Sequence, residues 1–150
     1  MIEVKRKLQN ICVERLSRKL IQLNEDIKNA QESANSDTKS SMGDKYETGR
    51  AMAQLEIEKN TIQKVEIETQ LHFLAKIATY NQSEIVAQGS LVICNTENFY
   101  ISVSLGLILL DEIRYFAIST QSPIGQKIKG LKRGDKFVVN EKEISILNIF

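Results

Sequence analysis

Leu16-Ser17-Arg18-Lys19-Leu20-Ile21-Gln22-Leu23-Asn24-Glu25-Asp26-Ile27-Lys28-Asn29-Ala30-Gln31-Glu32-Ser33-Ala34 decides the fold of the first half of this chain. Leu16, Leu20, Leu23, Ile27, Ala30 and Ala34 follow alternating steps of four and three. That spacing keeps one apolar stripe on one side of an α-helix, the seam of a coiled coil. Leu8 and Ile11 extend the stripe irregularly toward the start, and Arg15, Arg18, Lys19, Glu25, Asp26 and Lys28 fill the solvated faces. A second helix is predicted from about Asp44 to Ala78, with apolar positions Ala51, Leu55, Ile62, Val65, Ile67, Leu71, Leu74 and Ala78 in a less regular seam. Between the two, Ser33 to Gly43 is rich in Ser, Asn, Thr and Asp, which bond their own backbone and favour caps and turns. The pattern predicts an antiparallel helical hairpin with its turn near Ser36 to Met42. Its arms are roughly 45–50 Å long at about 1.5 Å per residue, and they project from a globular part.

The chain changes character near Tyr80. Before it there is no Pro, and Gly occurs only at Gly43 and Gly49. After it, Ser90–Asn95, Asn98–Ser104 and Ile113–Ser119 read as strands rich in β-branched and aromatic residues, with a turn at Asn95-Thr96-Glu97-Asn98. Ser122-Pro123, which carries the single Pro, starts a short helix over Pro123–Lys129 that Gly130 ends. Gly134-Asp135 is a turn. Lys136–Asn140 and Glu143–Ile149 close a hairpin around Asn140-Glu141-Lys142. The fold class is α+β: residues 1–79 form the coiled-coil hairpin, and residues 80–150 form a small antiparallel-sheet domain crossed by one short helix.

Composition narrows the function. A formal net charge of +1 over 150 residues gives no overall pull toward nucleic acid or acidic membranes. The opening Met-Ile-Glu-Val-Lys-Arg-Lys lacks the apolar core of a signal peptide, and the longest apolar run, Leu105 to Leu110, is too short to span a bilayer. A soluble, cytoplasmic protein without membrane partners is expected. Cys12 and Cys94 have no CxxC spacing and are read as buried free thiols, and His72 as a helix-surface or packing residue. Gly125, Gly130 and Gly134 do not form a phosphate-binding loop, and no nucleophile elbow or HExxH motif occurs. Lys5, Arg6, Lys7, Arg15, Arg18 and Lys19 form either a stripe that touches RNA or polymerase or ordinary solvated faces.

Chemistry concentrates in Gly43-Asp44-Lys45-Tyr46-Glu47-Thr48, between the two helices. Asp44 and Glu47 are three residues apart and fall in the first turn of the second helix. Acids there complement the helix dipole, which is sufficient reason for them to be present. Two exposed carboxylates also hold a hard divalent cation incompletely, because Mg²⁺ is bound by one or two carboxylates plus waters and phosphates. Such a pair suits delivery into a partner's active site better than work on a pocket of its own chain.

With both halves in view, the chain resembles the bacterial transcript-cleavage elongation factors, the Gre family. Gly43-Asp44-Lys45-Tyr46-Glu47-Thr48 is similar to the family's Gly-Asp-x-x-Glu-Asn. Ser122-Pro123-Ile124-Gly125, followed by Gly130 and Gly134-Asp135, is similar to its Ser-Pro-[Ile/Leu]-[Gly/Ala], Gly, Gly-Asp segment. The resemblance implies an FKBP-like C-terminal domain and a coiled coil inserted into the secondary channel of RNA polymerase. It implies a monomeric accessory factor, not an enzyme by itself, acting on the nascent RNA 3′ end of a backtracked complex. Asp44 and Glu47 match the family's catalytic tip acids, which help hold a Mg²⁺ shared with the polymerase active site. Asp44 would be the direct ligand, and Glu47 would position water or metal. The family continues with Asn-Ala-Glu-Tyr where this chain has Thr48-Gly49-Arg50-Ala51, so one acid is replaced by a cation. Three alternatives stay open: a channel-occupying regulator without cleavage activity, an FKBP-like peptide-binding module, and a dimerising coiled coil.

Overall fold

The computed structural model describes residues 1–37, 43–80 and 82–150, with side chains described for 1–36, 47–80 and 82–150. A long N-terminal helical hairpin, α1 (Ile2–Asp37) and α2 (Gly43–Lys76), precedes a mostly antiparallel six-stranded sheet and one short helix. The first helix runs on through Ser33 and Ser36 to Asp37, further than the caps and turns expected from its polar composition. Of the hairpin turn expected near Ser36 to Met42, residues 38–42 lie outside the described residues.

By its contacts the chain forms two units, Arg15–His72 and Met1–Glu14 with Phe73–Phe150. In the first, the seam on α1 is the one the spacing predicts: Leu16, Leu23 and Ala30 are buried, and Leu20, Ile27 and Ala34 half-buried. On α2 the buried positions are Ala53, Asn60 and Ile67. Running α1 forward and α2 backward, Leu16, Leu23 and Ala30 match Ile67, Asn60 and Ala53 in heptad steps, the order an antiparallel pair requires. The α2 seam expected from the sequence is therefore corrected: Ala51, Leu55, Ile62 and Val65 are exposed. The helix carries apolar residues on two opposite faces, and only one of them is buried.

The second unit contains the sheet, ordered β3-β4-β2-β1-β6-β5. Its strands are β1 (Leu91–Cys94), β2 (Asn98–Ile101), β3 (Gly106–Leu110), β4 (Ile113–Ile118), β5 (Lys136–Val139) and β6 (Lys142–Ile149). The β1–β2 and β5–β6 hairpins lie where turn chemistry places them. At the latter, Asn140 and Glu141 take φ of 49° and 64°, as a two-residue type I′ turn demands. Strand β3 is an addition, formed by an apolar run that lacks the alternation of a recognisable strand. It returns to β4 through Asp111 and Glu112, both also at positive φ. Since β3 lies at the edge, β4 pairs with β2 in parallel, Phe99 opposite Phe116, which is the one departure from an antiparallel sheet.

Alternation divides the sheet into two faces. Val92, Cys94, Phe99, Ile101, Ile118, Ile144 and Ile146 build one core with Val86, Ile128 of α3 (Pro123–Ile128) and Phe137. Leu91, Tyr100, Tyr115 and Ala117 are buried on the other. Leu8, Cys12 and Leu74 from the helix ends are buried within the same unit.

Candidate functional site

The acidic segment opens α2. Gly43 is its first residue, so Asp44 and Glu47 lie three apart in its first turn, as their spacing predicts. Nothing is described of the Asp44 side chain. The Glu47 side chain is exposed and lines a shallow hollow with Arg50, Ala51 and Gln54. Gly49 follows inside the helix, where it costs about 1 kcal/mol relative to Ala. An acid at position 47, in the first turn, complements the helix dipole.

Glu47 presents an exposed carboxylate in this first turn. Among the described residues no group of three or more His, Cys, Asp or Glu could hold a metal ion.

The second sequence motif has a structural explanation. Ser122 caps α3: its Oγ accepts from Gly125 N at 3.0 Å and donates to Ser119 O at 2.8 Å. Ser119 Oγ accepts from Ser122 N at 3.2 Å and pairs with Ser104 Oγ at 3.1 Å. The Ser-Pro-Ile-Gly sequence is therefore a helix start locked to the end of β4. Beside it lies a cavity of about 330 Å³ lined by Ile118, Ser122, Pro123, Ile124, Lys127, Val139 and Asn140. No aromatic side chain lines it. Phe99, Phe116 and Phe137 instead pack on one another in the core, with ring centroids 6.0–6.1 Å apart.

The basic stripe loses its first member. Lys5 is 2% exposed, and its Nζ donates to Phe150 O at 3.2 Å. Burial lowers its pKa from the usual lysine value. Lys7 pairs with Asp111 at 3.4 Å and Arg6 with Glu3 at 3.9 Å, while Lys19 is exposed. Cys12 and Cys94 are free and buried, as expected, and His72 is exposed on α2. What sequence reasoning missed is the outward face of α2. Its signal was the second set of apolar residues, Leu55, Ile62 and Val65, about half a turn away from the Ala53, Asn60, Ile67 line.

No protein-family model matches the chain, and no curated protein matches it. Among solved structures, "Structure of the transcription factor Gfh1" is similar at 19% sequence identity and a TM-score of 0.34, over 91% of this chain and 92% of that chain. No helix among the described residues is long and apolar enough to cross a membrane.

Proposed function

We propose that this chain is an accessory factor of bacterial RNA polymerase that carries Asp44 and Glu47 into the secondary channel and stimulates cleavage of backtracked transcripts. The observation that carries the reading is the opening of α2, where the two acids share one turn and Glu47 is exposed. The Gly-Asp-x-x-Glu and Ser-Pro-Ile-Gly motifs support it, through their resemblance to the Gre family. On this reading the chain is not an enzyme alone, since it contributes ligands and the polymerase contributes the substrate and the rest of the shell. Asp44 and Glu47 would hold Mg²⁺, which when bound acidifies and orients a water for attack on a phosphodiester. Asp44 offers the direct carboxylate ligand. Glu47 accepts a hydrogen bond from the attacking water and fixes its direction.

Arg50 favours a second reading. It lines the same hollow as Glu47, at the position where the family carries an acid, and a cation there opposes metal binding. The chain would then occupy the channel and regulate transcription without cleavage. A peptide-binding or isomerase role for the C-terminal part is disfavoured, because such a site needs an apolar pocket with aromatic walls and the cavity beside α3 has none.

The test is RNA cleavage in a defined backtracked complex of the cognate polymerase, with wild type, Asp44→Asn and Glu47→Gln. Mg²⁺-dependent short 3′ fragments from wild type alone establish the first reading. Competition with a known channel binder but no fragments establishes the second. Neither result removes both.

A further inference from the structure

A hollow of about 290 Å³ is lined by the start of α1, the end of α2 and the segment that leads into β1, all within one unit. Two of its lining side chains are lysines, Lys5 and Lys76, and among the described residues no acidic side chain lines it. Each lysine has a local explanation. Lys76 stands in the last turn of α2, where a cation complements the helix dipole, and Lys5 Nζ donates to Phe150 O. Neither explanation accounts for both ammonium groups sharing one partly buried space without a carboxylate, where positive charge is poorly screened.

Two hydroxyls add donors to the same lining. Ser83 Oγ accepts from Ile85 N at 3.3 Å, and Ser90 Oγ accepts from Ala87 N at 3.0 Å. A hydroxyl that accepts a backbone N–H keeps its own proton to donate. Gln88 is held in place along the wall, because its Nε2 donates to Ile101 O at 3.2 Å and to Ser102 O at 3.3 Å. Burial grades the hollow: Lys5 and Ser90 are buried, Ser83, Ile77 and Ala78 half-buried, and Lys76 and Phe73 exposed. An anion can therefore enter past Lys76 and Phe73.

We propose that this hollow binds a small phosphate monoester, with its phosphoryl group on Lys5, Lys76, Ser83 and Ser90 and its organic body on Phe73, Ile77 and Ala78. Charge selects the phosphoryl group. It carries about −1.5 to −2 at neutral pH and three acceptor oxygens, which match two cations and two hydroxyl donors. A carboxylate has one charge and two oxygens, and it leaves one of the lysines uncompensated. Lysine serves phosphate as a point charge and needs no bidentate geometry. Size limits the organic body, since a volume of 290 Å³ lies at the lower end of small-molecule pockets and suits a single ring or short chain. The proposal uses no residue of the α2 start and is independent of the polymerase reading.

Isothermal titration of the full chain with phenyl phosphate tests it, with inorganic phosphate and benzoate as comparators. A ligand of this size is expected to bind with a dissociation constant of about 0.1–1 mM. Inorganic phosphate, which lacks the ring, should bind about tenfold more weakly, and benzoate, which lacks the second charge, should do the same. Lys76→Ala should weaken phenyl phosphate about tenfold; the residue is exposed, so the fold is undisturbed. Phe73→Ala should bring phenyl phosphate down to the affinity of inorganic phosphate. Lys59→Ala, an exposed lysine elsewhere on α2, should leave binding unchanged. No binding of phenyl phosphate up to about 10 mM overturns the proposal. Equal losses in Lys76→Ala and Lys59→Ala overturn it too, since they reveal general charge attraction without a site. Benzoate binding as tightly as phenyl phosphate overturns the choice of a phosphoryl group.

Discussion

Gln9 of α1 closes the end of α2: its Nε2 donates to Leu74 O at 2.6 Å and to Ile77 O at 3.2 Å. The last carbonyls of a helix have no partner within it, and burying them unpaired is costly. Leu74 O also accepts from Ile77 N at 3.1 Å, so the Gln9 amide adds a second donor there, supplies one to Ile77 O, and ties the two helix ends together within one unit. Gln9→Ala removes both bonds and is expected to lower stability by about 1–2 kcal/mol, measured by urea unfolding. Gln9→Glu has no donor to offer and should cost at least as much. An unchanged midpoint for both variants would show that solvent satisfies these carbonyls equally well.

Gly125 is fixed by contact and not by conformation. A Cβ there would lie 2.0 Å from Ser119 O and 2.9 Å from Ser122 Oγ, the two atoms that hold the start of α3. Gly125→Ala must push α3 off the end of β4, and the expected loss is about 3 kcal/mol. Ser122→Ala removes only the cap and should cost about 1 kcal/mol. Denaturant midpoints in that order, with Gly125→Ala the worse, check the assignment. The reverse order would mean that the helix start yields freely.

These particulars show what could be read in advance. The α1 seam was legible because, Ile21 apart, its apolar residues from Leu16 to Ala34 occupy one face. The α2 seam was not, because Leu55 and Ile62 outweigh Asn60 and Ala53 in hydrophobicity while lying on the wrong side; an Asn in a buried heptad position is invisible to an apolar count. Strand β3 was missed for a related reason. Gly106-Leu107-Ile108-Leu109-Leu110 has no alternation, and its Asp111-Glu112 turn lacks the Asn or Gly that announced the Asn140-Glu141 turn. Lys5 was assigned to solvent by its charge, whereas a backbone carbonyl allows its ammonium to be buried. Of the candidate site, spacing could place Asp44 and Glu47 on one helical turn, but it could not say that Arg50 shares a hollow with Glu47.

Stability should fall in alkali, and Cys94 should carry part of the fall. Burial pushes its thiol from 9.0 up to about 12. Between those values the unfolded thiol ionises while the folded one keeps its proton, so the unfolded chain binds fewer protons and stability drops as pH rises. The contribution is whole below pH 9.0 and is lost toward about 12 at no more than about 1.4 kcal/mol per pH unit. Tyr100, raised by burial and then by Cys12, and Tyr115, raised by burial and then by Asp111, act with the same sign at higher pH. Lys5, lowered by burial, acts with the opposite sign below 10.5. Comparison with Cys94→Ala isolates the thiol. Its stability deficit against wild type should shrink by about 1.5 kcal/mol between about pH 9 and pH 10.5. A deficit constant across that range would place the thiol in contact with water.

Arg50 offers the sharpest chemical test of the tip. Its side chain lines one hollow with Glu47, so the charge at position 50 acts on whatever Glu47 binds. Arg50→Glu replaces a cation by a third carboxylate, within a turn of Glu47 and nearly two turns from Asp44. Affinity for a hard divalent cation rises with the number of charged oxygens offered to it. On the cleavage reading, Arg50→Glu should therefore lower the Mg²⁺ concentration for half-maximal transcript cleavage several-fold, while Arg50→Ala should lie between it and wild type. The graded series separates a charge effect from a lost contact, since a lost contact would make Arg50→Ala and Arg50→Glu alike. If wild type is inert and Arg50→Glu alone releases short 3′ fragments, Arg50 itself is what holds this chain to channel occupancy. If all three bind polymerase equally and none cleaves, the acids at 44 and 47 serve the start of α2 and nothing more.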